Sequence, residues 1–256
     1  MGVIRKTREE IEKMRVAGRV VQSVHQKVRE ICQPGITTRE IDEQAQQVID
    51  GHGALGLFKG YPGPTPFPGT LCISVNEEVV HGIGSDRQIQ DGDVVGIDCG
   101  VKVDGWCGDA ATTILVGNVP EDVRRMCEAT EHCLQIAIDN VRPGRKWSQV
   151  ARMMQTFARS RGYGVVEEFV GHGIGRSMHE DPKVPNYVSR DLIRNDIDLR
   201  EGVVLAIEPM LTLGQRHVKT LADGWTVVTK DGKASAHYEH TVAVTRDGAE
   251  VLTDGS

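Results

Sequence analysis

The sequence predicts an α+β chain built as two related halves. A Pro-Gly pair recurs between paired helical patterns, and four acidic residues recur in matched strand contexts. Pro34-Gly35 and Pro143-Gly144 stand 109 residues apart, and Gly92-Asp93-Val94-Val95-Gly96-Ile97-Asp98 aligns with Gly202-Val203-Val204-Leu205-Ala206-Ile207-Glu208 at an offset of 110. The repeat assigns approximately 8–117 to one half and 118–256 to the other, and with no linker between them residues 1–256 read as a single domain.

The first helical pattern runs through Ile11, Met14, Val21, Val24, Val28 and Ile31 and stops at Pro34-Gly35, because proline cannot continue a helix and glycine accepts the left-handed turn after one. A second helix over about Thr38 to Asp50 carries Ile41, Ala45, Val48 and Ile49 on one face. The apolar run Val94 to Ile97 ends at Asp98, and Asp109 opens Ala110 to Val116. The Gly-, Asp- and Lys-rich stretch Val101 to Gly108 then reads as the connection of a β-hairpin flanked by the two acids. The second half repeats the series. Val123, Met126, Cys133, Ile136 and Ala137 mark one helix, and Val150, Met153, Met154 and Phe157 mark another over Ser148 to Arg161. Glu208 ends Val203 to Ile207, and Glu239 precedes His240 to Val244 after a longer, Gly-containing connection.

Asp98, Asp109, Glu208 and Glu239 thus sit where two hairpins would approach on a pseudo-twofold axis. A carboxylate offers two oxygens and can bridge cations, and one imidazole adds a softer ligand. His172 supplies it within Gly171-His172-Gly173, where flanking glycines let the backbone come close and leave the ring free to be aimed. His179 can reach the same cavity from the other arm of that loop. Gly171-His172-Gly173-Ile174-Gly175 has a G-x-G-x-G rhythm, but Arg176 to Pro182 follows it instead of a helix that could hold a pyrophosphate, so a nucleotide loop is not expected.

A formal net charge of −6 and the lack of any long basic run argue against direct nucleic-acid recognition. The six cysteines, Cys32, Cys72, Cys99, Cys107, Cys127 and Cys133, contain no C-x-x-C pair and are too few for a disulfide scaffold, which points to a reducing compartment. The N-terminus is charged from Arg5 and lacks an apolar signal core. No segment is apolar enough to span a bilayer as a helix. A cytoplasmic protein that makes no use of a membrane is expected, and nothing demands a partner subunit, so a monomer is expected.

These residues resemble the type I methionine aminopeptidases. The resemblance runs from Arg8-Glu9-Glu10-Ile11 to Tyr238-Glu239-His240-Thr241 and includes Cys72-Ile73-Ser74-Val75-Asn76-Glu77, Val80-His81-Gly82-Ile83, the Gly-His-Gly loop, Ile207-Glu208-Pro209-Met210, Asp223-Gly224-Trp225-Thr226-Val227 and Ala236-His237-Tyr238-Glu239-His240. It implies the pita-bread (creatinase/aminopeptidase-like) fold, with two pseudo-symmetric halves around a central antiparallel sheet. It also implies two divalent metal ions, with Asp98 on one, His172 and Glu208 on the other, and Asp109 and Glu239 bridging. Cobalt, manganese, iron and zinc all suit such a donor set. A hydroxide held between the metals would attack the carbonyl of an N-terminal initiator methionine whose next residue is small. The resemblance makes His179 the residue near the developing oxyanion, His81 a contact of the substrate backbone, and Glu208 a proton shuttle as well as a ligand. Phe67, Cys72 and Trp225 fall where the family's methionine pocket lies. Asn76 and Ser235 resemble positions near a monovalent-cation site.

Nascent polypeptide N-termini at the ribosome are the implied partners. Gly2 would make the chain a substrate of its own activity, and the short span from His179 to Glu208 leaves no room for the insertion of type II enzymes. Two departures stand out. Met178 replaces an expected aromatic, and the segment Tyr61 to Pro68, with four prolines, is longer than usual. Rival readings are an X-Pro peptidase of the same fold, a metal-free binding protein on this scaffold, and acids that are merely strand ends at the surface.

Overall fold

The computed structural model describes residues 2–255; Met1 and Ser256 lie outside the described residues. Helix α1 (Arg8–Ile31) begins at a capping box in which the Thr7 hydroxyl accepts from the Glu10 amide and the Glu10 carboxylate accepts from the Thr7 amide. Helix α2 (Thr38–Gly51) repeats the device with Thr37 and Glu40. Strands β1 (Leu55–Gly56), β2 (Cys72–Val75), β3 (Glu78–Val80), β4 (Val94–Val103) and β5 (Trp106–Leu115) complete the first half. Val21, Val24, Val28, Ile41 and Ile49 of the helices pack against Ile73, Val95, Ile97 and Val101 of the sheet. That burial drives the layers together.

The second half runs α3 (Glu121–Asn140), α4 (Trp147–Ser160), β6 (Gly164–Val165), β7 (Gly171–Gly173), β8 (Glu180–Val184), α5 (Arg190–Arg194), β9 (Val204–Ile207), β10 (Met210–Thr212), β11 (Val218–Thr220), β12 (Val227–Thr229), β13 (Ser235–His237), β14 (His240–Thr245) and β15 (Gly248–Val251). Its core sets Leu134, Ala137, Val150 and Met154 against Leu205, Ile207, Val242 and Val244. The buried stripe of α4 passes through Trp147, Val150, Ala151, Met154 and Ala158, so Met153, expected on that face, sits at its rim and is 43% exposed.

The sequence repeat reappears as matched hydrogen bonds. Gly35 N–H donates to Ile89 O and Gly144 N–H to Leu199 O; Thr38 N–H donates to Arg87 O and Trp147 N–H to Ile197 O. Both Pro-Gly glycines are left-handed, with φ of 100° and 84°. The strands pair antiparallel throughout the described residues, one sheet holding β1, β4, β2 and β5 and another running β15-β14-β9-β7-β8.

The seam between the halves lies at β5 and β14. Glu239 N–H donates to Ala111 O at 2.9 Å, and Ala111 N–H returns the bond to Glu239 O at 3.3 Å. Beside that pair threonine hydroxyls take the place of direct backbone bonds. Thr241 donates to Asp109 O and accepts from Asp109 N–H, and Thr113 does the same for His237.

The β4–β5 hairpin is longer than the sequence suggested. Its strands run through Val101 to Gly108 and turn only at Asp104-Gly105, both with positive φ, as a two-residue hairpin requires. Asp98 and Asp109 therefore lie inside the strands. Among the described residues no helix is long and apolar enough to cross a membrane, and all six cysteines are free and buried.

Helix α1 packs closely because two glycines leave room for backbone to approach, Gly18 for that of Leu252 and Gly108 for that of Gly18. A Cβ at Gly18 would collide with the Leu252 carbonyl, and one at Gly108 would lie 2.8 Å from Gly18 N. Gly18→Ala is expected to destabilise the protein by about 2 kcal/mol, whereas Gly51→Ala, on a helix with open space around it, is expected to be neutral or better. Urea unfolding of the two variants checks this.

Candidate metal centre

The register of the strands brings the acids together. Asp98 pairs with Ala111 and Asp109 with Gly100, so both carboxylates project from one face of the β4–β5 hairpin as diagonal neighbours. Glu208 and Glu239 stand opposite each other one step beyond the His240–Ile207 pair of β9 and β14. Because Glu239 also pairs with Ala111, the second hairpin's acids face the first's.

His172 enters from β7, beside Ala206 of β9. Its Nδ1 donates to the Gly173 carbonyl at 2.9 Å, which fixes the tautomer and leaves Nε2 with a free lone pair. That nitrogen lies 3.8 Å from Asp109 Oδ2 and 3.8 Å from Glu208 Oε1. Ligating atoms of Asp109, His172 and Glu239 all fall within 4.8 Å of one another.

Burial pushes the Asp98 carboxyl up to about 7, and burial with repulsion from Asp98 pushes Glu208 up to about 8. Asp109 and Glu239 rise well above the carboxylate range, first through burial and then through the neighbouring acids. Burial holds His172 down to about 4 and therefore neutral, the state in which imidazole ligates. No lysine or arginine among the described residues pairs with any of the four acids. Asp98 Oδ1, Asp109 Oδ1 and Glu239 Oε1 are buried without a hydrogen-bond partner. Unpaired buried carboxylates are costly unless a cation answers them, so the donor set fits divalent metal.

The acids floor a cavity of about 260 Å³. Phe67 and Cys72 line it with Phe58 and Met178, and Trp225 packs at its edge. Met178, where an aromatic was expected, closes this wall with a thioether that adapts to its neighbours. His81, held at φ 60°, sets its ring edge-on to Phe169 at 5.3 Å. His179 stands at the exposed rim, its ring 4.3 Å from that of His172. Tyr61 reaches the cavity, with its hydroxyl 2.9 Å from His179 Nδ1. Every metal-ligand, catalytic and methionine-pocket residue expected from the sequence lines this one space, while Asn76 and Ser235 lie outside it.

His237 lines it too, and the sequence reading gave it no role. Its Nε2 is buried, unpartnered and 3.8 Å from Glu208 Oε2. The signal was period-two alternation, which puts residue 237 on the same strand face as Glu239. Phe58 and Phe169 also escaped, since isolated aromatics between short strands carry no periodic mark.

Residues 12–246 match the model of metallopeptidase family M24. The chain belongs to that family, in its type I methionine aminopeptidase branch. It is 45% identical to methionine aminopeptidase 1 of Bacillus subtilis over 98% of this chain and 99% of the relative. Against methionine aminopeptidase of Escherichia coli K12 the identity is 40%, covering 99% of this chain and 94% of the other. The crystal structure of the Thermotoga maritima methionine aminopeptidase superposes with a TM-score of 0.93 at 38% identity, covering 98% of this chain and 99% of that one. Prolidase from Pyrococcus furiosus, at 24% identity, shares the fold with a TM-score of 0.76, and the match spans 99% of this chain but 66% of its own length. The fold is the pita-bread fold.

The acids bind protons more tightly folded than unfolded, where carboxyls titrate near ~4. Their contribution to stability is therefore complete below that pH and is lost as pH rises through the folded values of about 7 for Asp98 and about 8 for Glu208. Chelator-stripped protein is expected to melt at progressively lower temperature from about pH 5 to about pH 8, and saturating manganese to flatten that slope. Thermal unfolding across pH, with and without metal, measures both.

Proposed function

We propose that this chain is a metal-dependent aminopeptidase that removes the initiator methionine from proteins whose second residue is small. The observation that carries the reading is a cluster of four carboxylates, two buried and two half-buried and none paired with lysine or arginine, with one neutral imidazole, flooring a cavity with apolar and thioether walls. Methionine is flexible and polarisable and suits walls of aromatic rings and sulfur. The names borne by relatives along nearly their whole length support the same activity.

Two divalent ions would be held by Asp98, Asp109, His172, Glu208 and Glu239. Cobalt, manganese, iron and zinc all match these donors. Such ions would polarise the scissile carbonyl and acidify an attacking water. The chain's own residues do the rest. Glu208, beside the attacking water, accepts its proton and passes it to the leaving amine. The Tyr61 hydroxyl, donating to His179 Nδ1, leaves the proton on Nε2, where it can be donated to the carbonyl oxygen as charge develops. His81, between Phe169 and Trp225, contacts the substrate backbone, and Phe67, Cys72 and Trp225 hold the methionine side chain. His237 stays neutral, burial holding it down to about 3, and limits the position of Glu208.

Residues 1–256 act as one catalytic domain in this reading, as a cytoplasmic monomer that meets nascent N-termini at the ribosome. A monovalent cation beside Asn76 and Ser235 belongs to the same proposal. The Asn76 carbonyl, which accepts from Ser235 N–H at 2.9 Å, places these two segments together.

Release of free methionine from a Met-Gly-Met peptide by chelator-stripped protein is expected only after manganese or cobalt is added, with no turnover of an X-Pro peptide. Turnover of the X-Pro peptide alone would move the chain to the prolidase branch, and silence on both would mark a binding protein. Asp109→Ala and Glu239→Ala are each expected to lose bound metal and about a hundredfold or more of kcat/KM. Tyr61→Phe is expected to lower kcat about tenfold, the worth of one hydrogen bond, with KM little changed.

A further inference from the structure

The segment Tyr61 to Pro68 alternates two kinds of residue. Pro62, Pro64, Pro66 and Pro68 are exposed and fix their own φ. Each also restricts the residue before it to extended backbone. Those restricted residues, Tyr61, Gly63, Thr65 and Phe67, make the inward contacts. Tyr61 meets His179, the Thr65 carbonyl accepts from Trp225 Nε1 at 3.0 Å, and Phe67 meets the indole edge-on with ring centroids 5.2 Å apart. The loop is closed at its base by Gly60 N–H to Phe67 O at 2.8 Å and Phe67 N–H to Tyr61 O at 3.0 Å. A chain restrained at alternate residues loses little entropy on ordering, so this loop is stiff.

Gly63 is where loop and indole touch. A Cβ there would collide with Trp225 Cζ2 and Cη2. The reverse face fits as closely, because Gly224, with φ 80°, would bring a Cβ to 3.3 Å from Pro64. Each glycine thus faces a bulky residue of the other segment, and the indole is held between Phe67, the Thr65 carbonyl and the Gly63 backbone. Its other edge faces His81 at 6.3 Å.

We infer that this proline-rich loop is a specificity element: by clamping Trp225 against Gly63 it holds one wall of the side-chain pocket fixed, so that the enzyme rejects N-terminal residues broader than an unbranched thioether. The inference rests on the aminopeptidase reading for its substrate, while the clamp itself can be read without one. A wall that cannot retreat discriminates by shape, and a misplaced methyl branch in such a pocket is worth about tenfold or more. A wall free to swing would admit leucine and isoleucine.

Gly63→Val and Trp225→Phe test it, the first displacing the indole and the second removing its N–H while keeping a ring. Gly51→Ala, far from the cavity, is the control. Both test variants are expected to lower the ratio of kcat/KM for Met-Gly-Met over Leu-Gly-Met by about tenfold, with metal content unchanged. Acrylamide quenching gives the second readout, because Trp106 and Trp147 are buried and Trp225 is the half-buried tryptophan. Quenching is expected to rise in Gly63→Val and to fall in Trp225→Phe. Unchanged quenching in Gly63→Val would show that the indole is not clamped there. Increased quenching with an unchanged methionine-to-leucine ratio would show that the clamp does not set selectivity. Either result overturns the inference, and absence of methionine release by the unmutated protein would instead overturn the aminopeptidase reading while the quenching result still stood.

Discussion

Mutual repulsion among four crowded carboxylates is the constraint around which this molecule is arranged. Asp98, Asp109, Glu208 and Glu239 share a space that lacks any paired lysine or arginine; desolvation drives all four towards protonation, and like charge adds to it at Asp109, Glu208 and Glu239. Groups that repel stay close only if the backbone beneath them cannot yield. Each acid therefore lies in or next to a strand backed by a helical core, and the strands meet at the seam through the Ala111–Glu239 bonds and two threonine hydroxyls. Close approach also excludes side chains. A Cβ at Gly100 would lie 2.8 Å from Phe58 Cε1 and 3.1 Å from Asp109 Oδ1 and Met178 Sδ, so glycine stands there because the cavity wall and the acid together occupy the room. A stiff scaffold under an under-satisfied polar cluster is what a cation-binding site requires before the cation arrives.

Much of the fold was legible because its determinants are local. Helices α1 to α4 declare themselves through 3.6-residue periodicity, α1 and α3 stopping before a Pro-Gly pair, and the offset of 109 to 110 appears in the structure as paired hydrogen bonds. The acids were legible because they end or open apolar runs. The exact hairpin was not, since the buried pattern of β4 and β5 continues through residues that look like a turn, and only Asp104-Gly105 has the conformation of one. The cavity walls were legible only through resemblance. Phe58, Phe169 and His237 come from short strands and connections whose neighbours are set by tertiary contact, which carries no period in one sequence.

The duplication explains the scaffold, and its departures explain the chemistry. In the matched register Gly96 of β4 corresponds to Ala206 of β9. Ser74 of β2 lies opposite the first and His172 of β7 opposite the second. The Ser74 hydroxyl accepts from Gly82 N–H at 3.2 Å and is committed to its own half. The His172 ring satisfies Nδ1 locally and keeps Nε2 for the acids. One half thus contributes a nitrogen donor and the other a side chain already engaged, so the two sides of the cluster differ in softness although the acids are matched.

The extra chain in each half is distributed in the opposite way. Before β2 the first half inserts the proline-rich loop, which supplies Tyr61 and Phe67; the second half places its surplus after β7, where Met178 and His179 lie. These unrelated insertions converge on one mouth and touch through Tyr61 and His179. Symmetry would have given two equivalent approaches to the acids. Breaking it leaves an apolar wall on one side and a hydrogen-bonding histidine on the other, and an asymmetric substrate bearing a side chain on one side and a carbonyl on the other can then be bound in a single orientation. The ligand floor tolerates the duplication because cations are spherical; the walls cannot, because a peptide has direction.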